Sequence, residues 1–184
     1  MITKQLCGID EAGRGPLAGE LVVAGVVLLD DIDGLMDSKK LSAKKREELY
    51  SKIVQNSHYH IAVYSASDID SLGISKCIAN ALEEIKTNLP ECKYLFDGNS
   101  TFGVSDITTM VKADSKIAQV SAASILAKVT RDRMLIEYDK TYPQYGFAKH
   151  KGYATKAHYE ALWEHGRSPI HRKSFFIKGL DGLF

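Results

Sequence analysis

Asp10 and Glu11 end a short hydrophobic run and lead directly into Ala12-Gly13-Arg14-Gly15-Pro16-Leu17-Ala18-Gly19. Glycines let a backbone approach a ligand closely, and Arg14 between two of them adds donors suited to a phosphate. Two adjacent carboxylates would repel that phosphate unless a cation stood between them, so the pattern favours a metal site. A dinucleotide-binding loop is the first competing reading, but the spacing is G-x-G-x-x-x-G, Pro16 interrupts it, and no helix starts there. A strand-ending turn with solvated acids is the second. Asp97, in Phe96-Asp97-Gly98-Asn99, reads locally as a hairpin turn. It reads otherwise as a carboxylate at the end of a strand beside the one that ends at Asp10. Asp114, in Lys112-Ala113-Asp114-Ser115, reads locally as the N-cap of a long helix, a position that aims its carboxylate at whatever precedes the helix.

Together the four acids describe more than each does alone. Mg²⁺ takes oxygen ligands and usually only one or two carboxylates per ion. Asp10, Glu11, Asp97 and Asp114 therefore suit two ions ~4 Å apart, the arrangement used for in-line phosphodiester cleavage. Mn²⁺ accepts the same ligands. No Ser–His–Asp spacing and no HExxH pattern competes, although histidine acid–base chemistry through a ribose 2′-hydroxyl stays open. Consecutive strand residues point to opposite faces, so one of Asp10 and Glu11 is expected beyond the regular strand.

The elements that must position these acids can be read from periodicity. Strands are expected at Gln5–Asp10, Glu20–Leu29, His58–Ala66 (Tyr59, Ile61 and Val63 on one side), Lys93–Phe96 and Gly103–Thr108. Helices are expected at Ala43–Asn56 with Ser42 as cap, at Ser71–Leu89, from Ser115 to about Tyr138, and at Thr155–His165 stopped by Gly166. The sum is an α/β chain with a mixed sheet, organised as one domain over residues 1–184 with a helical C-terminal region.

Composition fits a globular domain: 184 residues, 45% hydrophobic and 26% charged. No apolar stretch is long enough for a membrane span, and the first residues carry no signal-peptide core, so the cytoplasm is expected. Cys7, Cys77 and Cys92 are scattered and read as reduced and buried. The net charge of +1 hides an asymmetry: residues 1–111 hold 11 Lys/Arg against 16 Asp/Glu, and residues 112–184 hold 13 against 7. A polyanion could be held by the second part while carboxylates in the first hold cations, or the segregation could be that of a solvated surface. Ser38–Ser42, Lys128–Arg133, His150–Tyr153 and Gly166–Lys173 are candidate phosphate contacts, and Tyr153 is a candidate for stacking on a sugar or base.

In order along the chain, these segments resemble the bacterial type 2 ribonucleases H, the ribonuclease HII family. The resemblance rests on Asp10–Gly19, Asp37–Ser42, Asp97-Gly98-Asn99, Lys112-x-Asp114, Ser121–Asp132, Tyr142–Phe147, His150–Thr155 and His171–Phe175, and it covers nearly the whole chain. It implies a ribonuclease H-like fold, with Asp10, Glu11, Asp97 and Asp114 as metal-binding catalytic carboxylates. It implies a Gly13-Arg14-Gly15 loop that reads the ribose 2′-hydroxyl, and Tyr153 packed on the deoxyribose after the junction. Lys39, Ser121, Lys128, Arg131, His150 and Lys151 are the further expected substrate contacts. The implied activity is Mg²⁺- or Mn²⁺-dependent hydrolysis of RNA paired with DNA. It includes incision 5′ of single ribonucleotides in DNA, leaves 3′-hydroxyl and 5′-phosphate ends, and serves ribonucleotide excision repair and RNA primer removal. A monomer is expected. Arg14, and a chain that starts at its first strand, separate this pattern from the sister ribonuclease HIII branch. Glu20, Ala113 and Ser115 depart from the family pattern, and Ala113 puts the backbone before Asp114 in question. Two other readings compete: a DNA nuclease of the same fold, for which a 2′-hydroxyl sensor has no use, and a non-catalytic binding module, which leaves the four acids without a purpose.

Overall fold

The computed structural model describes residues 4–35, 41–177 and 179–182. Its centre is a five-stranded sheet in the order β3-β2-β1-β4-β5. The strands are β1 Leu6–Ala12, β2 Leu21–Leu28, β3 Ser57–Tyr64, β4 Lys93–Asp97 and β5 Ile107–Met110. β1, β2 and β3 run antiparallel to their neighbours, whereas β1, β4 and β5 are parallel, so the sheet is mixed as expected. The helices are α1 Ala43–Gln55, α2 Ala66–Leu72, α3 Ile74–Asn88, α4 Ala118–Thr141, α5 Phe147–His150 and α6 Lys156–His165.

Alternation along the strands builds two layers. Cys7, Ile9, Leu21, Val23 and Val27 face α3 and bury against Ile78, Leu82 and Ile85. Val22, Ala24 and Val26 face the other way, onto α4 and onto Leu49 and Ile53 of α1. A side chain at Gly8 would collide with the α4 backbone at Gln119 and Val120, so this glycine is what lets α4 lie directly on β1. A third apolar cluster joins Leu17 and Leu135 to Phe147, Leu162 and Ile177 and fixes the C-terminal helices to the loop after β1.

Several expectations change. The helix expected over Ser71–Leu89 is two helices broken at Gly73 (φ 82°), and α2 starts earlier, at a capping box between Ser65 and Asp68. α4 starts at Ala118 after Ile117, while Ala113–Ser115 form a separate 3₁₀ turn, so Asp114 is not the cap of the long helix. β4 and β5 are parallel, which rules out a hairpin at Asp97-Gly98. β3 is an edge strand; Tyr59 and Val63, on the side shared with Ile61, are exposed, while Ala62 on the other side is buried. The short elements Pro143–Tyr145 and Phe147–His150 were not anticipated; each spans only a turn, too little for a periodic signal. Cys7 and Cys77 are buried and Cys92 is half-buried, all as free thiols. Among the described residues no helix is long and apolar enough to cross a membrane.

Candidate active site

Sheet register brings the acids together. The β1–β4 pairing ends at Ile9↔Phe96, so Asp10 and Asp97 are the next residues on two adjacent parallel strands. β1 nevertheless continues against β2 through Asp10↔Ala24, Glu11↔Val23 and Ala12↔Val22. Both acids therefore lie within the strand, contrary to the expectation that one would sit past it. Alternation sends Asp10 toward α4, where it lies beside the Ser124 side chain, and its carboxylate accepts a hydrogen bond from the Glu11 N–H at 2.8 Å. Asp97 accepts from the Lys112 N–H at 3.0 Å and the Asp114 N–H at 3.1 Å. Those two bonds hold the turn that carries Asp114, with Lys112 in the left-handed region at φ 59°. Ala113 is wholly buried beside Leu95 and Val120, so the departure there is accommodated and Asp114 keeps its place.

Carboxylate oxygens of Asp10, Asp97 and Asp114 lie within 4.8 Å of one another. Glu11, which leaves the strand on the opposite face, stays outside this group. Its Oε1 lies 3.9 Å from the Arg14 guanidinium, and its buried Oε2 has no hydrogen-bond partner. Burial, then the Glu11 and Asp97 charges, hold Asp10 well above the usual carboxylate range. Burial also raises Glu11, against the pull of Arg14. Crowded, dehydrated acids with an orphaned oxygen are what a hard divalent cation would relieve. Oxygens on opposite sides of one Mg²⁺ stand ~4.2 Å apart, so small side-chain adjustments would complete a shell. The donor set fits such an ion.

Glu11, next in the chain to Asp10, lines a cleft of about 420 Å³ together with Gly13, Arg14, Gly15, Ser124, Lys128 and Tyr153, among others. Ser124 and Lys128 are one helical turn apart on α4 and are its partly open positions there. The Arg14 guanidinium lies 5.2 Å from the centre of the Phe102 ring, and Lys128 is paired with Asp132 at 2.7 Å. Tyr153 is 46% exposed at the rim of the cleft, with its ring 5.7 Å from the Arg131 guanidinium.

Other expected contacts take different places. Ser121 has no exposed surface and donates to the Leu35 carbonyl. Arg131 is 1% exposed and spends its guanidinium on the Ala18, Glu20 and Lys151 carbonyls at 2.8–2.9 Å. Neither is among the residues that line the cleft. Lys151 donates to the Ala148 carbonyl, and His150 joins the Tyr145 carbonyl at 2.7 Å to the Gly152 N–H at 3.2 Å. Lys39 lies outside the described residues. Ser124 and Arg46, which line the cleft, were missed as site residues; Ser124 sits in a run of small residues that signals only close helix packing.

The sequence model of the family described as Ribonuclease HII matches residues 7–178. The chain belongs to the ribonuclease HII family. Ribonuclease HII of Sulfurovum sp. (strain NBC37-1) is 65% identical over 179 residues, covering 97% of this chain and 95% of that protein. The Campylobacter jejuni ribonuclease HII is 52% identical over 171 residues, covering 92% of this chain and 90% of that protein. Among solved structures, the ribonuclease HII of Archaeoglobus fulgidus, in a complex with PCNA, superposes with a TM-score of 0.80 at 29% identity over 91% of this chain and 92% of that one. Ribonuclease H2 from Pyrococcus horikoshii gives 0.74 at 28% identity, covering 93% of each chain. The fold is thus ribonuclease H-like, and membership of ribonuclease HII places the chain among the metal-dependent endonucleases that hydrolyse phosphodiesters.

Proposed function

We propose that this ribonuclease HII cuts the RNA strand of RNA–DNA hybrids and incises DNA 5′ of single embedded ribonucleotides, with Asp10, Glu11, Asp97 and Asp114 as its metal-binding catalytic carboxylates. The observation that carries the reading is the meeting of Asp10 and Asp97, on adjacent strands, with Asp114 on the turn beside them, next to a cleft lined by Glu11 and Gly13-Arg14-Gly15. Two divalent cations held there, Mg²⁺ or Mn²⁺, would supply an activated water on one side of the scissile phosphate and charge neutralisation of the leaving 3′-oxygen on the other.

The chain's own groups do the rest. The Ser124 hydroxyl stands beside the Asp10 carboxylate, and Asp97 holds Asp114 through the backbone. Gly13, Arg14 and Gly15 meet the ribose, whose 2′-hydroxyl is the group that tells RNA from DNA. Lys128 and Arg14 add positive charge beside the phosphates, and Tyr153 offers a flat face to the adjoining deoxyribose. Hydrolysis leaves a 3′-hydroxyl and a 5′-phosphate. Residues 1–184 act as one catalytic domain whose C-terminal helices carry Tyr153 to the cleft. A cytoplasmic monomer working in ribonucleotide excision repair and primer removal is the setting that suits this substrate.

The test is a DNA duplex with one ribonucleotide, incubated with and without Mg²⁺ or Mn²⁺. A single nick 5′ of the ribonucleotide, lost in chelator and absent from the matched all-DNA duplex, is expected. Equal cutting of both duplexes would favour a DNA nuclease of the same fold.

A further inference from the structure

The sharpest unassigned feature lies behind the cleft. Arg172 follows the last helix, has no exposed surface, and sends its guanidinium into the loop after β1. Its Nη2 donates to the Gly13 carbonyl at 2.5 Å and the Glu20 carbonyl at 3.2 Å, Nη1 to the Arg14 carbonyl at 3.2 Å, and Nε to the Gly19 carbonyl at 3.0 Å. A buried arginine spent wholly on main-chain carbonyls stabilises one backbone conformation, and here it is that of the loop that lines the cleft.

Peptide geometry supplies the consequence. In a planar trans peptide the C=O of one residue and the N–H of the next point in opposite directions. With the Gly13 and Arg14 carbonyls drawn back onto Arg172, the N–H groups of Arg14 and Gly15 are turned to the side away from it. Residues 13–15 line the cleft and Arg172 is sealed off from solvent, so the side away from Arg172 is the cleft side. Two successive N–H groups turned the same way form a small concave donor for an oxygen. We propose that Arg172 is a specificity-determining positioning residue, which presets the Gly13–Gly15 amides to receive the ribose 2′-oxygen. This rests on the proposed reading of that loop as the ribose sensor.

The surroundings fit a preset part. Gly13 stands at φ 94°, and a side chain there would collide with the Arg131 guanidinium and the Glu20 carbonyl. Arg131 clamps the neighbouring Ala18 and Glu20 carbonyls, so the two guanidiniums share the loop between them. Burial and the nearby Arg131 charge lower Arg172 to about 10, which leaves it charged at neutral pH. The Glu20 carboxylate, itself buried and accepting from the Tyr138 hydroxyl at 2.5 Å, supplies the opposing charge. That gives the departure at Glu20 a physical role. Asp70 of α2 anchors the segment from outside, accepting from the Lys173 N–H at 2.9 Å and the Ser174 N–H at 2.8 Å.

The test measures affinity for a duplex with one ribonucleotide against the matched all-DNA duplex, with Ca²⁺ replacing Mg²⁺ and no product formed. Arg172→Met should lower the ratio of the two affinities about tenfold, the worth of one or two hydrogen bonds, with affinity for the all-DNA duplex nearly unchanged. Arg172→Lys, keeping one charged donor, should recover part of the ratio. A folded Arg172→Met that binds with the wild-type ratio overturns the inference. If Arg172→Met does not fold, Asp70→Asn carries the test, because it loosens the anchor without entering the core. It should lower the ratio about twofold to threefold, and an unchanged ratio overturns the inference. A purely stabilising role would lower the melting temperature and leave the ratio alone. A wild-type ratio of one would remove the sensor reading, and this inference with it.

Discussion

The two halves of the cleft are built on opposite electrostatic principles. Where β1 and β4 meet the turn that carries Asp114, Asp10, Asp97 and Asp114 crowd together, Glu11 keeps an oxygen without a partner, and Asp10 is pushed far from its ordinary range. Behind the Gly13–Gly15 loop, by contrast, most of the buried polar groups are bonded to one another, although Glu20 Oε2 has no hydrogen-bond partner. Arg131 and Arg172 are bonded to carbonyls and set against Glu20, and His150, His158 and His171 form a neutral, ordered cluster. In that cluster His171 Nδ1 accepts from the Ser168 N–H at 2.8 Å, so its Nε2–H donates to His158 Nε2 at 2.9 Å. His158 Nδ1–H then donates to the Tyr153 carbonyl at 2.9 Å. The difference teaches that one half awaits a ligand while the other holds its shape without one. Reactivity belongs with the crowded acids and precision with the bonded half.

The largest expected effect separates the two. Asp10→Asn should reduce cleavage at least about a thousandfold, ~4 kcal/mol of barrier, while melting stays unchanged or rises because a crowded charge has gone. A large fall in melting temperature would mean that the acids hold the fold, and the comparison would break. The bonded half should show its character in pH. Burial first, then neighbouring histidine charge, depresses His158 to about 4 and His171 to about 3. The unfolded chain, with histidines near 6.5, takes up protons that the fold refuses. Stability is therefore full above pH ~6.5 and is lost as pH falls toward ~4, by up to ~1.4 kcal/mol per pH unit for each residue. Urea midpoints at pH 7.5 and pH 5 should differ more for wild type than for a His158→Gln/His171→Gln variant; equal slopes would contradict the neutral cluster. A smaller effect is expected for Ser124→Ala, which takes away the hydroxyl beside Asp10. Cleavage should drop about tenfold with little change in melting, read from single-turnover rates. Tyr138→Phe should be smallest for activity and should cost ~1 kcal/mol of stability, measured by denaturant melts, because it strips a partner from the buried Glu20 carboxylate.

The sequence was most legible where a residue's neighbours in the chain determine its setting. The strands that carry Asp10 and Asp97, the caps at Ser42 and Thr155, and the stop at Gly166 all follow from local pattern. Asp114 was recognisable only as part of a motif, because local pattern made it a helix cap whereas the Asp97 carboxylate fixes it across 17 residues. Arg131 looked like a phosphate contact for the same reason: nothing near it in sequence reveals that its partners, Ala18 and Glu20, stand more than 100 residues away. Polar residues buried by distant backbone carbonyls carry no periodic signal, and the loop-setting role of Arg172 was hidden accordingly.

The most direct test of the acid half is a Mn²⁺ titration of the protein without nucleic acid, followed by the resonance of free Mn²⁺ and by melting temperature. Saturable binding that raises the melting temperature of wild type, and is lost in both Asp10→Asn and Asp114→Asn, is the predicted result. Mn²⁺ binding of wild-type strength in those two folded variants would contradict the account.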